Sequence, residues 1–450
     1  MEIVIVVIFI LGYLAITLEH NLKVDKLVPA LVMMAAAWAV IALGLDGFEG
    51  WFDSHHGEMI EGFKELPNHA GHGASKAGIL ESTLLHHFGK TCEILIFLIG
   101  AMTIVEIIDH FDGFATIKKF IKTNKKKSLL WIIAILAFVL SAIIDNLTAT
   151  IVLITILRKL ISNKTDRMWF TGMIIVTANA GGAWSPIGDV TTTMLWMAGK
   201  VSALKLVQYL ILPSLVCMAV PTLIASYMKP FQGNFESVED NKEPNKFSAP
   251  MLYIGLLLIV SVPVFKTITH LPPYIGMMLA LGVFTIFAEI FSKRAFDISH
   301  AGVEEHHSPV HTALTRIEMP SLLFFLGILM TVAALESLGL IFQFGQAVDS
   351  SIGTNPFVLI LGGASAIVDN VPLVAASLGM FPSLAEDSAV WHFIAYAAGT
   401  GGSMLIIGSA AGVVAMGMEK ISFFWYLKNI TLLALVGYLA GIGVIYLTIL

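Results

Sequence analysis

The stretch Ser141-Ala142-Ile143-Ile144-Asp145-Asn146 returns as Ser365-Ala366-Ile367-Val368-Asp369-Asn370, and each copy sets a carboxyl beside an amide inside a long apolar run. A carboxylate at membrane depth costs several kcal/mol, so its default reading is a functional site with a partner. Two copies in matching halves are what a carrier built from internal repeats would show, with its ion site where the repeats meet. The rest of the chain permits such a setting: 57% of its 450 residues are hydrophobic and only 13% are charged. A soluble domain carries about 25% charged residues.

Apolar runs at 3–18, 27–45, 91–109, 168–198, 202–227, 250–269, 274–291, 318–340, 391–417 and 430–449 read as helices. A crossing needs about 20 such residues, which predicts an all-α polytopic membrane protein with the lipid bilayer as its solvent. The first run has Glu2 ahead of it and lacks a small-residue cleavage pattern before Glu19, so it reads as a retained span. Cys92 and Cys217 lie far apart and suggest packing rather than a disulfide or metal site. No nucleic-acid partner and no cofactor are expected.

Two segments fit no simple crossing. Leu129–Leu160 would run about 48 Å as one helix, beyond a core of about 30 Å yet short of two passages. In the segment 357–380, Pro372 follows Asn370 closely and disrupts helix continuity. Both read as re-entrant hairpins, whose non-helical tips are tolerated only inside protein or a wet cavity. The alternative is a single tilted, kinked helix.

Basic residues test the topology, because Lys and Arg accumulate in cytoplasmic loops. With the run Lys118 to Lys127 placed inside, only Lys64, Lys76, Lys90, Lys200, Lys205 and Lys266 of the 26 basic residues fall on or toward the outer side. The first hairpin then enters from the cytoplasm and the second from outside. The expected architecture is therefore an inverted-topology repeat: residues 1–228 with hairpin 129–160 and unwound span 168–198, then residues 249–450 with hairpin 357–380 and unwound span 391–417. A polar cytoplasmic linker, 229–248, joins them. Phe111 to Lys127 mixes apolar residues with lysines and suits a helix lying in the interface. The loop histidines His55, His56, His69, His72, His86 and His87, with His306, His307 and His311, read as solvated residues or pH sensors.

A second repeated feature follows each hairpin. Ala178-Asn179-Ala180-Gly181-Gly182-Ala183-Trp184-Ser185-Pro186-Ile187-Gly188-Asp189 aligns through its double glycine with Ala398-Gly399-Thr400-Gly401-Gly402-Ser403-Met404-Leu405-Ile406-Ile407-Gly408-Ser409. Glycine and proline at this density predict an unwound stretch at mid-membrane, whose carbonyls suit a hard cation such as sodium. Oxygens of Asn179, Ser185, Asp189, Thr191, Thr192, Ser403 and Ser409 would complete the shell. Small-residue helix packing is the competing account of the glycines.

Ser-Ala-Ile-Ile-Asp-Asn-Leu-Thr (141–148) and Ser-Ala-Ile-Val-Asp-Asn-Val-Pro (365–372), with Gly-Gly-Ala-Trp-Ser-Pro-Ile-Gly-Asp-Val-Thr-Thr-Thr between them, resemble the NhaD-type sodium/proton antiporters. These belong to the ion-transporter superfamily that also holds arsenite permeases and dicarboxylate carriers. The resemblance covers nearly the whole chain. It implies an inverted-repeat fold, commonly homodimeric, and transport residues Ser141, Asp145, Asn146, Asn179, Asp189, Thr191, Thr192, Ser365, Asp369 and Asn370. Ser409 stands where an Asp would complete the symmetry, which counts against two equal sodium sites.

Exchange of sodium (or lithium) for protons needs carboxylates that hold either ion but not both, and Asp145, Asp369 and Asp189 supply them as the expected sodium ligands. A sodium-coupled carboxylate symporter would present these charges to an anion, and an arsenite-type permease is the other alternative. No metal-binding His pair or nucleophile–base set appears within the spans, so an enzyme is not expected. The expected location is a bacterial inner membrane.

Overall fold

The structure is a computed structural model that describes residues 1–53, 58–60, 62–68, 75–118, 121–235, 246–299 and 308–450. It is nearly all helical. Among the described residues seven helices are long and apolar enough to cross a membrane, from Lys76–His110 to Thr431–Thr448. Glu2–Thr17 and Leu27–Leu43 are equally apolar but shorter, at 16 and 17 residues. The chain is a multi-pass membrane protein.

The run expected at 91–109 belongs to a helix that starts at Lys76. Ser75 Oγ accepts the Gly78 N–H at 3.1 Å and Lys76 is tied to Asp46 at 3.1 Å, which anchors the start. Ile79, Leu80, Leu84, Leu85 and Phe88 continue its apolar face, so His86 and His87 are helical rather than loop residues. No single interfacial helix forms over 111–127. Among the described residues the stretch holds the short helix Ala115–Lys118 and, at its far end, the start of Lys126–Ile144; Phe111, Phe114 and Ile117 are buried in protein, and Ser248 Oγ donates to Phe111 O at 2.8 Å. His55, His56, His69, His72, His306, His307 and linker residues 236–245 lie outside the described residues.

The chain divides into two compact units. The first comprises Met1–Ile96, Glu318–Ile360 and Val371–Ala385. In it Leu27–Leu43 packs along Met319–Ser337, where Gly327 lets the Ala30 backbone approach and Trp38 Nε1 donates to Met330 O at 2.8 Å. Phe357, early in Thr354–Ser365, meets Phe381, just past Asn370–Met380, with ring centroids 6.3 Å apart. The chain has therefore reversed between them, and 357–380 is a hairpin.

The second unit, Phe97–Ile317, Leu361–Asn370 and Glu386–Leu450, contains both hairpin tips and both interrupted helices. Lys126 Nζ reaches Asp166 at 2.7 Å and Ser141 Oγ donates to Ala178 O at 2.6 Å, so Lys126–Ile144 runs alongside Lys164–Gly182 in the same direction. Asn146–Leu160 runs the opposite way, because Asn146 bonds to Asn179 while Arg158 and Arg167 share Glu419. The reversal falls on Asp145, at φ 79° and ψ 158°. A hairpin thus replaces the kinked helix, at a backbone conformation otherwise almost confined to glycine.

Each interrupted helix breaks where the glycines cluster. Lys164–Gly182 resumes as Val190–Met197, and Ala389–Gly401 resumes as Ala410–Glu419. A Cβ on Gly181 would collide with Phe138 O, and one on Gly401 with Gly362 O. Gly188 and Gly408 press in the same way on Ser141 O and Ser365 O, each 2.7 Å from a built Cβ. The glycines therefore do serve close packing, and that packing is what seats each hairpin on its unwound stretch. Gly181→Ala and Gly401→Ala should each lower stability by about 1–3 kcal/mol through overpacking against backbone. Gly417→Ala, with nothing near its Cβ, should not. Thermal unfolding in detergent checks the contrast.

Candidate ion-binding site

The first unwound stretch ends at Asp189, which sits in extended conformation as the cap of Val190–Met197. A cap residue accepts from the orphan N–H groups of the first turn. Asp189 Oδ1 accepts the Thr191 N–H and the Thr191 hydroxyl, both at 2.8 Å. The side chain is only 2% exposed, and burying a charge without partners is costly. Those partners come from both hairpin tips. Asn146 Nδ2 donates to Asp189 Oδ2 at 2.7 Å, and Asn370 Nδ2 lies 3.3 and 3.2 Å from Oδ1 and Oδ2. One carboxylate is thus held by an amide from each hairpin tip.

Asn179, inside the helix before the break, extends the network. Its Oδ1 accepts from Asn146 Nδ2 at 3.2 Å, and its Nδ2 donates to Ile175 O at 2.8 Å and Ser409 Oγ at 3.3 Å. Ser409 in turn caps Ala410–Glu419 by accepting the Gly412 N–H at 3.3 Å. Asp189 and Ser409 therefore occupy equivalent caps, one charged and one neutral.

Asp145 lies at the first tip and is tied by a residue that sequence reading passed over. Thr148 gives its N–H to Oδ1 at 2.8 Å and its hydroxyl to Oδ2 at 2.9 Å. The signal was the Asp-x-x-Thr spacing of a helix cap. The second tip has Pro372 in that position, which has no N–H to give. Asp369 is half-buried, and its charge, like that of Asp145, is close enough to Asp189 for the two to interact.

The other expected residues divide into two layers. Asn146, Thr191 and Asn370 bond the Asp189 carboxylate, Asn179 and Ser409 stand behind Asn146, and Asp145 and Asp369 lie within electrostatic reach. Ser141 and Ser365 donate to Ala178 O and Ala398 O at 2.6 and 2.7 Å, matched bonds that fasten each hairpin to its helix. Thr192 donates to Ser185 O at 2.6 Å and Asp189 O at 2.9 Å, closing the loop on itself. Ser403 donates to Thr400 O at 2.7 Å. Among the described residues no three His, Cys, Asp or Glu side chains gather closely enough to hold a metal ion. The three aspartates thus form no closed carboxylate cage, and a cation here would draw on amide, hydroxyl and carbonyl oxygens as well, the ligands that hard cations take.

Thr148→Val removes a hydroxyl bond to Asp145 and keeps the shape. Bonds to charged groups contribute about 1.5–3 kcal/mol, so the variant should lose roughly that stability and change the half-saturating ion concentration. Thr148→Ser should restore both in unfolding and transport measurements.

Residues 8–392 match the profile of a family described as citrate transporter. The sodium/proton antiporter 1 of Arabidopsis thaliana is 40% identical over 449 residues, covering 98% of this chain and 72% of the relative. The Na(+)/H(+) antiporter NhaD of Vibrio cholerae is 30% identical over 456 residues, covering 97% and 89%. Among solved structures, the YdaH transporter of Alcanivorax borkumensis superposes with a TM-score of 0.58 over 93% of this chain and 99% of that one. At 14% identity that likeness is one of fold.

Proposed function

We propose that this chain, which belongs to the citrate transporter family, exchanges cytoplasmic sodium (or lithium) for external protons by alternating access. It is a transporter and not an enzyme. The observation that carries the reading is the Asp189 carboxylate held by Asn146 and Asn370, amides from both hairpin tips. A carrier site has to belong to both repeats, because each repeat controls access from one side. The relatives named as sodium/proton antiporters support the choice of cargo.

Citrate carriage and carboxylate symport are less favoured by the site's charge. Among the described residues neither Asp145 nor Asp189 is paired with Lys or Arg; their hydrogen-bond donors are Thr148, Thr191, Asn146 and Asn370. A multiply charged anion would meet bare carboxylates there, whereas a cation or a proton would neutralise them.

In this reading Asp145, Asp189 and Asp369 share the cargo. Ser141, Ser365 and Thr192 hold the backbone that supplies carbonyls. Residues 1–228 and 249–450 are the inverted repeats, the working form is a homodimer, and the membrane is a bacterial inner membrane, although Arabidopsis relatives show that the family is not confined to bacteria. Single cysteines at Lys126 and Ser383, in a chain lacking Cys92 and Cys217, should label from opposite faces with an impermeant reagent. Labelling from one face would overturn the inverted repeat.

Bare carboxylates are costly to carry through a low-dielectric barrier, so the site moves only when loaded. If two carboxylates share one sodium, the doubly protonated and sodium-loaded forms differ by one charge. The membrane potential then contributes about 2.3 kcal/mol per charge per 100 mV. Sodium efflux from proteoliposomes should therefore respond to a potassium–valinomycin potential at fixed pH, with more protons than sodium ions per cycle. Asp145→Asn and Asp369→Asn should each abolish exchange while the protein still folds. Efflux indifferent to the potential would sink the two-carboxylate scheme, and proton movement driven by citrate or arsenite but not sodium would sink antiport.

A further inference from the structure

The ends of the two interrupted helices that lie away from Glu419 meet through backbone. Lys200 O, just after Val190–Met197, accepts the Asp387 N–H at 2.9 Å. Asp387 Oδ1, just before Ala389–Gly401, accepts the Ser202 N–H at 2.7 Å. Asp387 adopts φ 60°, a left-handed conformation that Asp tolerates better than most residues.

His392 stands behind this junction. It is 0% exposed and its ring packs edge-on against Tyr209, centroids 4.9 Å apart. Neither ring nitrogen makes a hydrogen bond among the described residues, which is uncommon for a buried polar group. Nε2 faces Asp387 Oδ1 at 3.4 Å, within ion-pair reach but beyond a good hydrogen bond. The charged and titratable groups around it are Asp387 and Glu386 on its lead-in, Lys200 over the neighbouring Trp391 ring at 5.3 Å, and Lys205 and Tyr209 on Ala203–Ala225. Tyr446 of Thr431–Thr448 lies against the adjoining Phe393.

The double-glycine alignment pairs Asp387 with Arg167, and Arg167 belongs to the corresponding junction of the other copy. There Arg158 Nε and Arg167 Nε hold the buried Glu419 carboxylate at 2.6 and 3.1 Å. A guanidinium keeps its charge at every working pH, so that clamp does not read protons. Imidazole is the side chain that does.

We propose that His392 and Asp387 form a second proton-binding site, separate from the transport carboxylates, that tightens this junction when occupied. A proton from solvent adds to the imidazole, and the imidazolium Nε2–H donates to Asp387 Oδ1 as a short, charge-assisted bond. Asp387 carries Ser202 with it, so the ends of both helices that build the ion site are held together. Occupation slows turnover without competing with sodium. The site is therefore regulatory, and it rests on the antiport reading only for its readout.

The test is the maximal exchange rate at saturating sodium against pH, in proteoliposomes of the full chain. Saturating sodium suppresses proton competition at the transport site, so an acid fall in this rate reports the junction. His392→Gln should remove that fall. Lys205→Met keeps the imidazole but removes a nearby positive charge, so it should move the fall to higher pH. An unchanged acid fall in active His392→Gln overturns the site; should that variant not fold, an unmoved profile in Lys205→Met overturns it. Absence of sodium-driven exchange by the wild type would instead overturn the antiport reading.

Discussion

One buried carboxylate organises this protein. Asp189 is removed from solvent at a place where water cannot solvate it, so every lone pair has to find a donor or a cation. The chain meets that requirement by bringing two hairpin tips, from sequence positions in opposite halves, to the same oxygen atoms. The helix must break after Gly182 and restart at Asp189 for its cap to form, and the glycines must stay small for the hairpins to approach. The unwound stretches, the hairpins and the double glycines are consequences of the same need.

The two copies are alike in backbone and unlike in charge. Ser141 and Ser365 make the same bond to the same kind of carbonyl, and Gly188 and Gly408 press on equivalent backbone. The polar atoms above that frame differ. Asp189 corresponds to Ser409, and Thr148 has Pro372 in its place. Asp145 is bound at both oxygens by its own first turn, and Pro372 cannot supply the equivalent N–H to Asp369. Symmetric packing thus supports an asymmetric site, as expected of a carrier in which one set of charges alternates between sodium and protons.

Much of this was legible in the sequence, for reasons that can be traced. The first hairpin followed from a segment too long for one crossing and too short for two, the second from Pro372 just beyond Asn370, and the breaks from glycine density. What could not be read was long-range pairing. Nothing local says that Asn370 reaches back to Asp189, or that Arg158 and Arg167 meet on Glu419. The helix start at Lys76 was missed because polar residues between apolar ones hid its face, and the anchor that fixes it, Asp46, is distant in sequence. The helix expected over 111–127 failed because Phe111, Phe114 and Ile117 found protein rather than lipid to cover them.

Asp145 offers an argument for function that does not depend on any relative. Its backbone, at φ 79° and ψ 158°, lies in a region essentially reserved for glycine, and such strain costs about 1–3 kcal/mol at a residue with a side chain. Glycine would make the same turn without that cost. Thr148 recovers part of it by capping the helix through the Asp145 carboxylate, but a serine or asparagine cap on an unstrained turn would serve a purely structural hairpin equally well. The chain instead keeps a charged side chain, within reach of a second buried carboxylate, at the position where backbone and electrostatics both oppose it. A requirement for the charge itself accounts for that choice, and the cargo that needs such a charge is a cation.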